Sequence, residues 1–219
     1  MLPFPAEAEG SAGFERRYGL REKPRYVRFR LLDPALDLGI DLGLAGVDPA
    51  LRVDQLTLLA EDFAGLFAAR GASGPRQVFI TENEINFLAF PDRAGSLIVF
   101  GAGYGFAALS RAEWLHSRRI RYWGDLDTHG FAILDQLRAS FPEAESLLMD
   151  RATLLAHRDQ WTSEGSPTKA DLTRLHPEER ELYDDLRYDR LAPSLRLEQE
   201  RIGFSWVESA LADGSEPET

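Results

Sequence analysis

The chain has 219 residues, enough for one large domain or two small ones, and its 44% apolar and 28% charged content is ordinary for a globular protein, which excludes global disorder. It has no cysteine, which excludes a disulfide scaffold, a thiolate metal site and a cysteine nucleophile. A net charge of −11 excludes a whole-surface grip on nucleic acid, so any such grip needs a local basic patch or metal ions.

No segment approaches the roughly 18 consecutive apolar residues of a membrane span. The opening MLPFPAEAEG lacks the basic start and apolar run of a signal peptide. A soluble, cytoplasmic protein without membrane partners is expected. Residues 1–13 and the acidic tail 213–219 are rich in Pro, Gly, Ser, Ala and Glu and are expected to be loosely ordered ends. Between them, 14–72 reads as an N-terminal extension and 73–212 as the main α/β domain with C-terminal helices.

In the extension, Arg16, Arg17, Arg21, Lys23, Arg25, Arg28 and Arg30 stand against Glu15 and Glu22. Val27, Phe29 and Leu31 alternate with Arg28 and Arg30, which predicts a half-buried strand with an arginine face. That face is either a charged sheet edge or a phosphate-facing surface. Residues 51–59 predict a second strand and 60–70 a helix closed by Gly71. Gln77–Ile80, Leu97–Phe100, Ile120–Trp123 and Ser146–Met149 are four short apolar runs. Helices are expected between them over 82–90, 106–117 and 129–140. Such alternation predicts βαβ units and a mainly parallel sheet with both faces covered. Beyond 150 the pattern is helical. Pro177 with Glu178 and Glu179 suits a first turn, 195–202 is a further helix candidate, and Ser205-Trp206-Val207-Glu208 has capping-box spacing.

In a parallel α/β sheet, ligands bind beyond the carboxyl ends of the strands. Glu82 and Glu84 follow the first apolar run, Asp125 and Asp127 the third, and Asp150 the fourth. For Asp125 and Asp127 to point into one cleft the turn must rotate, and Gly124 and Gly130 supply the freedom. Clustered carboxylates raise each other's pKa, and a bound cation removes that penalty. Oxygen-only ligands favour Mg2+ or Mn2+ over Zn2+. Dehalogenase-type phosphatases also place D-x-D after a strand but carry Thr or Val where this chain has His129. No P-loop occurs, and Gly101-Ala102-Gly103-Tyr104-Gly105 lacks the full dinucleotide fingerprint.

The segments Phe79-Ile80-Thr81-Glu82-Asn83-Glu84, Ile98-Val99-Phe100-Gly101-Ala102-Gly103-Tyr104-Gly105 and Tyr122-Trp123-Gly124-Asp125-Leu126-Asp127-Thr128-His129-Gly130 resemble the Toprim domain, most of all as found in the topoisomerase VI A subunit group. More narrowly, the chain resembles the JetD nuclease subunits of Wadjet plasmid-defence systems over residues 14–212. That likeness extends through Val27–Pro34, His157-Arg158 with Trp161, and Leu195-Arg196-Leu197-Glu198-Gln199-Glu200-Arg201-Ile202.

The resemblance implies a Toprim-like fold for 73–212 and a divalent-metal-dependent DNA endonuclease. It would be a homodimer that acts on circular plasmid DNA with an SMC-type motor complex. Glu82, Asp125 and Asp127 match the family's metal-site and catalytic carboxylates, with Glu84 as a further candidate ligand. The resemblance also implies an N-terminal region with DNA-binding helices that this sequence does not display. No tyrosine-bearing winged-helix domain is visible either, which argues against a covalent tyrosyl-DNA mechanism; the alternatives are a non-catalytic binding module and topoisomerase VI A-like strand transfer.

For DNA contact the candidates are Arg28, Arg30, His129, and Arg118 and Arg119 in a second basic patch with Arg111 and Arg121, which is expected next to the acidic cluster. His129 reads either as a proton-transfer or phosphate-contacting group or as a surface or capping histidine. Glu198 and Glu200 are read as ion-pair partners of Arg196 or Arg201, and the four tryptophans as packing residues.

Overall fold

A computed structural model describes residues 24–36, 38, 54–67, 74–101, 106 and 108–213. The expected loose ends at 1–13 and 214–219, the basic residues before Pro24, the end of the predicted helix over 60–70 and the turn residues Ala102–Gly105 lie outside them.

β1 (Tyr26–Leu31) follows its alternating pattern, burying Val27 and Phe29. β2 (Gln55–Leu59) pairs antiparallel with it and leads directly into α1 (Ala60–Gly65). β3 (Gln77–Thr81), α2 (Glu84–Ala89) and β4 (Ser96–Phe100) form the first parallel crossover. The helix expected over 106–117 is instead two 3-10 turns, Leu109–Arg111 and Glu113–Ser117. Ala112 leaves helical backbone between them (φ −85°, ψ 85°). That break seats Trp114 against Phe63 and Phe67, with ring centroids 5.4 and 4.8 Å apart.

β5 (Arg119–Trp123), α3 (Thr128–Ser140) and β6 (Glu145–Ser146) form the second crossover. The fourth predicted strand is shorter and earlier than its apolar run, because Leu148 takes φ +60° and the run turns down into the core. The C-terminal part holds α4 (Arg151–Ala156), β7 (Thr162–Ser163), α5 (Pro177–Arg187), β8 (Leu195–Arg196) and α6 (Phe204–Asp213). Residues 195–202 are not a helix. β8 pairs with β7, Leu197 exchanges two backbone hydrogen bonds with Leu126 (2.9 and 3.1 Å), and Gln199–Arg201 is a 3-10 turn. α6 opens on the Gly203 carbonyl, which accepts from Trp206 and Val207, so Ser205 lies inside the helix.

The six-stranded sheet has the order β2-β1-β4-β3-β5-β6. β1 is antiparallel to both neighbours, whereas β3/β4, β3/β5 and β5/β6 are parallel. The register puts Phe29, Val99, Ile80 and Tyr122 in one row and Arg28, Phe100, Thr81 and Trp123 in the neighbouring row on the other face. Phe63 of α1 packs on the first face, 5.3 Å from Phe29. Phe87 and Phe90 cover the second, 5.6 Å from Phe100 and 4.6 Å from Phe79. Coverage on both sides is why the central strands read as unbroken apolar runs. From β3 the chain moves to β4 on one side, and from β5 to β6 on the other. The carboxyl ends of β3 and β5 therefore flank a topological switch point, where such sheets open a crevice.

Candidate functional site

Three of the sequence-predicted carboxylates stand at that crevice. Glu82 is the first residue past β3. Asp125 follows β5 by two residues, and Asp127 caps α3, its Oδ1 accepting from the Gly130 N–H at 2.7 Å. The two glycines of this turn serve close approach rather than rotation, since among the described glycines only Gly95 has positive φ. A Cβ on Gly130 would lie 2.0 Å from the Asp125 carbonyl oxygen, and one on Gly124 would lie 2.3 Å from Tyr122 Oη.

The electrostatics record the crowding. Burial and the neighbouring Asp125 charge push Glu82 from 4.5 up to about 7, with Asp127 adding to the rise and the buried Tyr122 hydroxyl opposing it. Burial likewise raises Asp127 to about 6, against the pull of the Gly130 N–H, with Glu164 and Asp125 adding to the rise and Arg196 opposing it. Tyr122, fully buried among these carboxylates, is held well above its ordinary range by burial first and by Glu82 next. Unlike a surface turn, this is a site where negative charge is gathered and under-compensated.

A strap formed by residues 195–201 closes one side of the site. Arg196 Nη2 lies 2.5 Å from Asp125 Oδ2, and its Nε lies 3.3 Å from Asp127 Oδ2. The Gln199 N–H donates to Asp125 Oδ1 at 3.0 Å. The buried Gln199 side-chain oxygen accepts from Thr81 Oγ1 at 2.5 Å and from Asn86 Nδ2 at 3.3 Å, joining the ends of β3 and β5 to α2. Glu200 accepts from Asn83 Nδ2 at 2.9 Å. Glu82, Asn83, Asp125, Ile133, Arg196, Gln199 and Glu200 line an open cleft of about 450 Å3.

The remaining candidates lie elsewhere. Glu84 pairs with Arg28 at 2.5 Å and does not line the cleft. Arg28 also packs over Phe87 and Phe100, while Arg30 donates to the Phe90 carbonyl. The arginine face of β1 thus docks α2 and the chain after it, and β1 is not an edge strand. Arg118 and Arg119 sit at the opening of β5, the end opposite Asp125. Arg119 and Arg121 pair with Glu145 at 2.9 and 3.2 Å. Arg118 and Arg119 are therefore not beside the acidic cluster, because strand direction carries them to the opposite end of the strands. Asp150 caps α4 by accepting from the Thr153 N–H at 2.7 Å. His129 Nδ1 bonds the buried Glu164, which also accepts from the Thr128 N–H and hydroxyl. Glu198 pairs with Arg201 at 2.8 Å and with Arg196 at 3.7 Å.

Sequence reasoning missed Arg196, Gln199 and Glu164 as parts of this site. A signal for the first two was present. Leu195, Leu197 and Gln199 are buried while Arg196, Glu198 and Glu200 are not, which is a period-2 pattern and not a helical one.

Among the described residues no group of three or more His, Asp and Glu is set to hold a metal ion. The donor chemistry nonetheless fits a hard divalent cation: the candidate donors are carboxylate oxygens, and at Glu82 burial and the Asp125 charge outweigh the Tyr122 hydrogen bond. The Arg196 guanidinium already stands between Asp125 and Asp127 as a resident cation.

The family model for the Wadjet protein JetD, C-terminal, matches residues 19–211. The chain belongs to this family. The chain is also similar to the cyclic nucleotide-gated channel beta-3 of Homo sapiens, at 28% identity over 143 residues, and to that of Canis lupus familiaris, at 26% over 142 residues. Each match covers 61% of this chain but only 17% and 18% of the channels, so the chain spans less than a fifth of these curated relatives. No helix among the described residues is long and apolar enough to cross a membrane.

Proposed function

We propose that this chain is the DNA-cleaving subunit of its Wadjet system, a Toprim-type endonuclease that hydrolyses phosphodiester bonds of circular plasmid DNA with Mg2+ or Mn2+. Its catalytic carboxylates are Glu82, Asp125 and Asp127. One observation carries the reading: carboxylates from the ends of two adjacent parallel strands converge at the switch point of the sheet, where burial, with the Asp125 charge adding to it, raises the pKa of Glu82 and of Asp127. An acidic cleft in a chain of net charge −11 repels a polyanion, so a phosphodiester can enter only where a cation cancels that charge.

A divalent ion bound there would supply charge neutralisation and water activation. Glu82, Asp125 and Asp127 would hold it. The Gln199 N–H orients the Asp125 carboxylate by donating to its Oδ1, and the Gly130 N–H fixes Asp127 by donating to its Oδ1. Near neutral pH the raised Glu82 carboxyl carries a proton in part of the population, and it must release that proton to act as a ligand. The dimer and the SMC-type motor belong to the same proposal.

The test is nicking or linearisation of supercoiled plasmid by the assembled complex with Mg2+. Glu82→Gln and Asp125→Asn are each expected to abolish cleavage while the complex still assembles. Cleavage that survives both changes returns the chain to a non-catalytic binding role, and a covalent protein–DNA adduct would mark strand transfer instead.

A further inference from the structure

Arg196 holds a position unlike that of any other described arginine, because its guanidinium occupies the carboxylate oxygens that the proposed metal needs. Nη2 is 2.5 Å from Asp125 Oδ2 and Nε is 3.3 Å from Asp127 Oδ2. A cation of charge two on these oxygens competes with a guanidinium at contact distance, since like charges at that separation in a partly buried site repel.

The backbone at Arg196 is pinned. It pairs with Thr162 in the β7/β8 ribbon, its carbonyl accepts from Thr162 Oγ1 at 3.3 Å, and the next residue, Leu197, is tied to Leu126 by two hydrogen bonds. The side chain is not pinned in this way. It lines the open cleft, and the Glu198 carboxylate already stands 3.7 Å from Nη2 as an alternative partner. Rotation about the side-chain bonds alone would bring the positive charge from Asp125 and Asp127 onto Glu198, which also pairs with Arg201 at 2.8 Å, without moving the strap backbone.

We propose that Arg196 is an internal counter-ion that keeps the Asp125–Asp127 pair closed and is exchanged for a divalent cation by swinging toward Glu198. Arg196 is on this account a positioning residue that sets metal affinity. The inference rests on the metal-dependent reading above. It also explains why an acidic cluster with suitable donors is not arranged as a cage: a built-in cation fills the place.

The experiment is calorimetric titration of the full chain with Mn2+, alongside thermal melting with and without Mn2+, for wild type, Arg196→Gln, Arg196→Lys and Glu82→Gln. Arg196→Gln is expected to bind Mn2+ at least about tenfold more tightly than wild type. It should melt lower than wild type without metal and gain more from Mn2+. Arg196→Lys, a point charge that cannot bridge both carboxylates, should fold like wild type and show a smaller tightening, which keeps the test open if the glutamine variant fails to fold. Glu82→Gln should weaken Mn2+ binding. A merely structural arginine would lower stability without raising metal affinity. Equal or weaker Mn2+ binding by both Arg196 variants, with wild type binding and Glu82→Gln impaired, overturns the counter-ion role and leaves the metal reading standing. Absence of Mn2+ binding in every form overturns the metal reading and this inference with it.

Discussion

The Gln199 N–H donates to the Asp125 carboxylate at 3.0 Å, so a residue of the C-terminal strap fixes a side chain from the turn after β5. The same glutamine buries its side-chain oxygen against Thr81 and Asn86. Its removal leaves Thr81 Oγ1 without this acceptor inside the protein, at a typical cost of about 1–3 kcal/mol. Gln199→Ala is therefore expected to lower the unfolding free energy by that order in urea denaturation. It should also reduce plasmid cleavage more than the stability loss accounts for: the backbone N–H that holds Asp125 survives the change, but the side-chain anchor that sets its position is lost. Full activity in a destabilised Gln199→Ala variant would falsify the positioning role.

The acidic cluster gives stability a specific pH dependence. Glu82 titrates near 7 in the folded chain against an ordinary 4.5, and Asp127 near 6 against 3.8. A carboxyl whose pKa is raised by folding binds its proton more tightly in the folded state. Its stabilising contribution is complete below the unfolded pKa and disappears as pH rises through the folded one. For Glu82 that amounts to something on the order of 3 kcal/mol. The metal-free protein should lose melting temperature between about pH 5 and pH 8, and Glu82→Gln, which carries no charge, should flatten much of that slope. A wild-type profile that is level across this range contradicts the crowding at Glu82.

The fold was legible where pattern and burial agree. β1, β3, β4 and β5 each announce themselves by alternation or by a short apolar run bounded by Gly, Pro or an acidic residue, and the structure follows. The strap was misread because Leu195–Ile202 contains good helix formers, and tertiary pairing of Leu197 with Leu126 overrode that propensity. The placing of Arg118 and Arg119 failed for a different reason. Adjacency in sequence to Asp125 is not adjacency in space: an extended strand advances about 3.3 Å per residue and carries its two ends apart. The alternation at Leu195–Gln199 marks a strand but does not name its partner, since an ion pair across 71 residues leaves no local trace of which carboxylates Arg196 meets.

The buried pair Arg138–Glu179 anchors the C-terminal part. Arg138 donates to both Glu179 oxygens at 2.5 and 2.9 Å, and to the carbonyls of Ala144 and Arg174. Glu179 also accepts from Ser146 Oγ and the His176 N–H, which links α3, β6 and α5. Burial alone would raise the Glu179 pKa, but the Arg138 and Ser146 hydrogen bonds outweigh it and hold the group below its ordinary range. Breaking one partner strands a buried charge, so Glu179→Gln is expected to cost roughly 3–5 kcal/mol by chemical denaturation. The double change Arg138→Met with Glu179→Leu should cost less than Glu179→Gln, because neither charge is left behind.

Gly130 tests how tightly the turn after β5 is packed. A Cβ there would lie 2.0 Å from the Asp125 carbonyl oxygen, a backbone atom that cannot rotate aside. Gly130→Ala must displace the start of α3, where Asp127 caps the helix, or the turn that carries Asp125. Overpacking of this kind costs about 1–3 kcal/mol, and more where backbone must move. Gly65, at the end of α1, has nothing within 4 Å of its Cβ position, so Gly65→Ala is the matched control and should be neutral or slightly stabilising. Gly130→Ala should therefore lower the melting temperature clearly and weaken Mn2+ binding, while Gly65→Ala changes neither for the worse. Equal stability and equal Mn2+ affinity in the two variants would mean that the Asp125–Asp127 turn tolerates a shift of its backbone, and that its carboxylates are not held by the packing of Gly130.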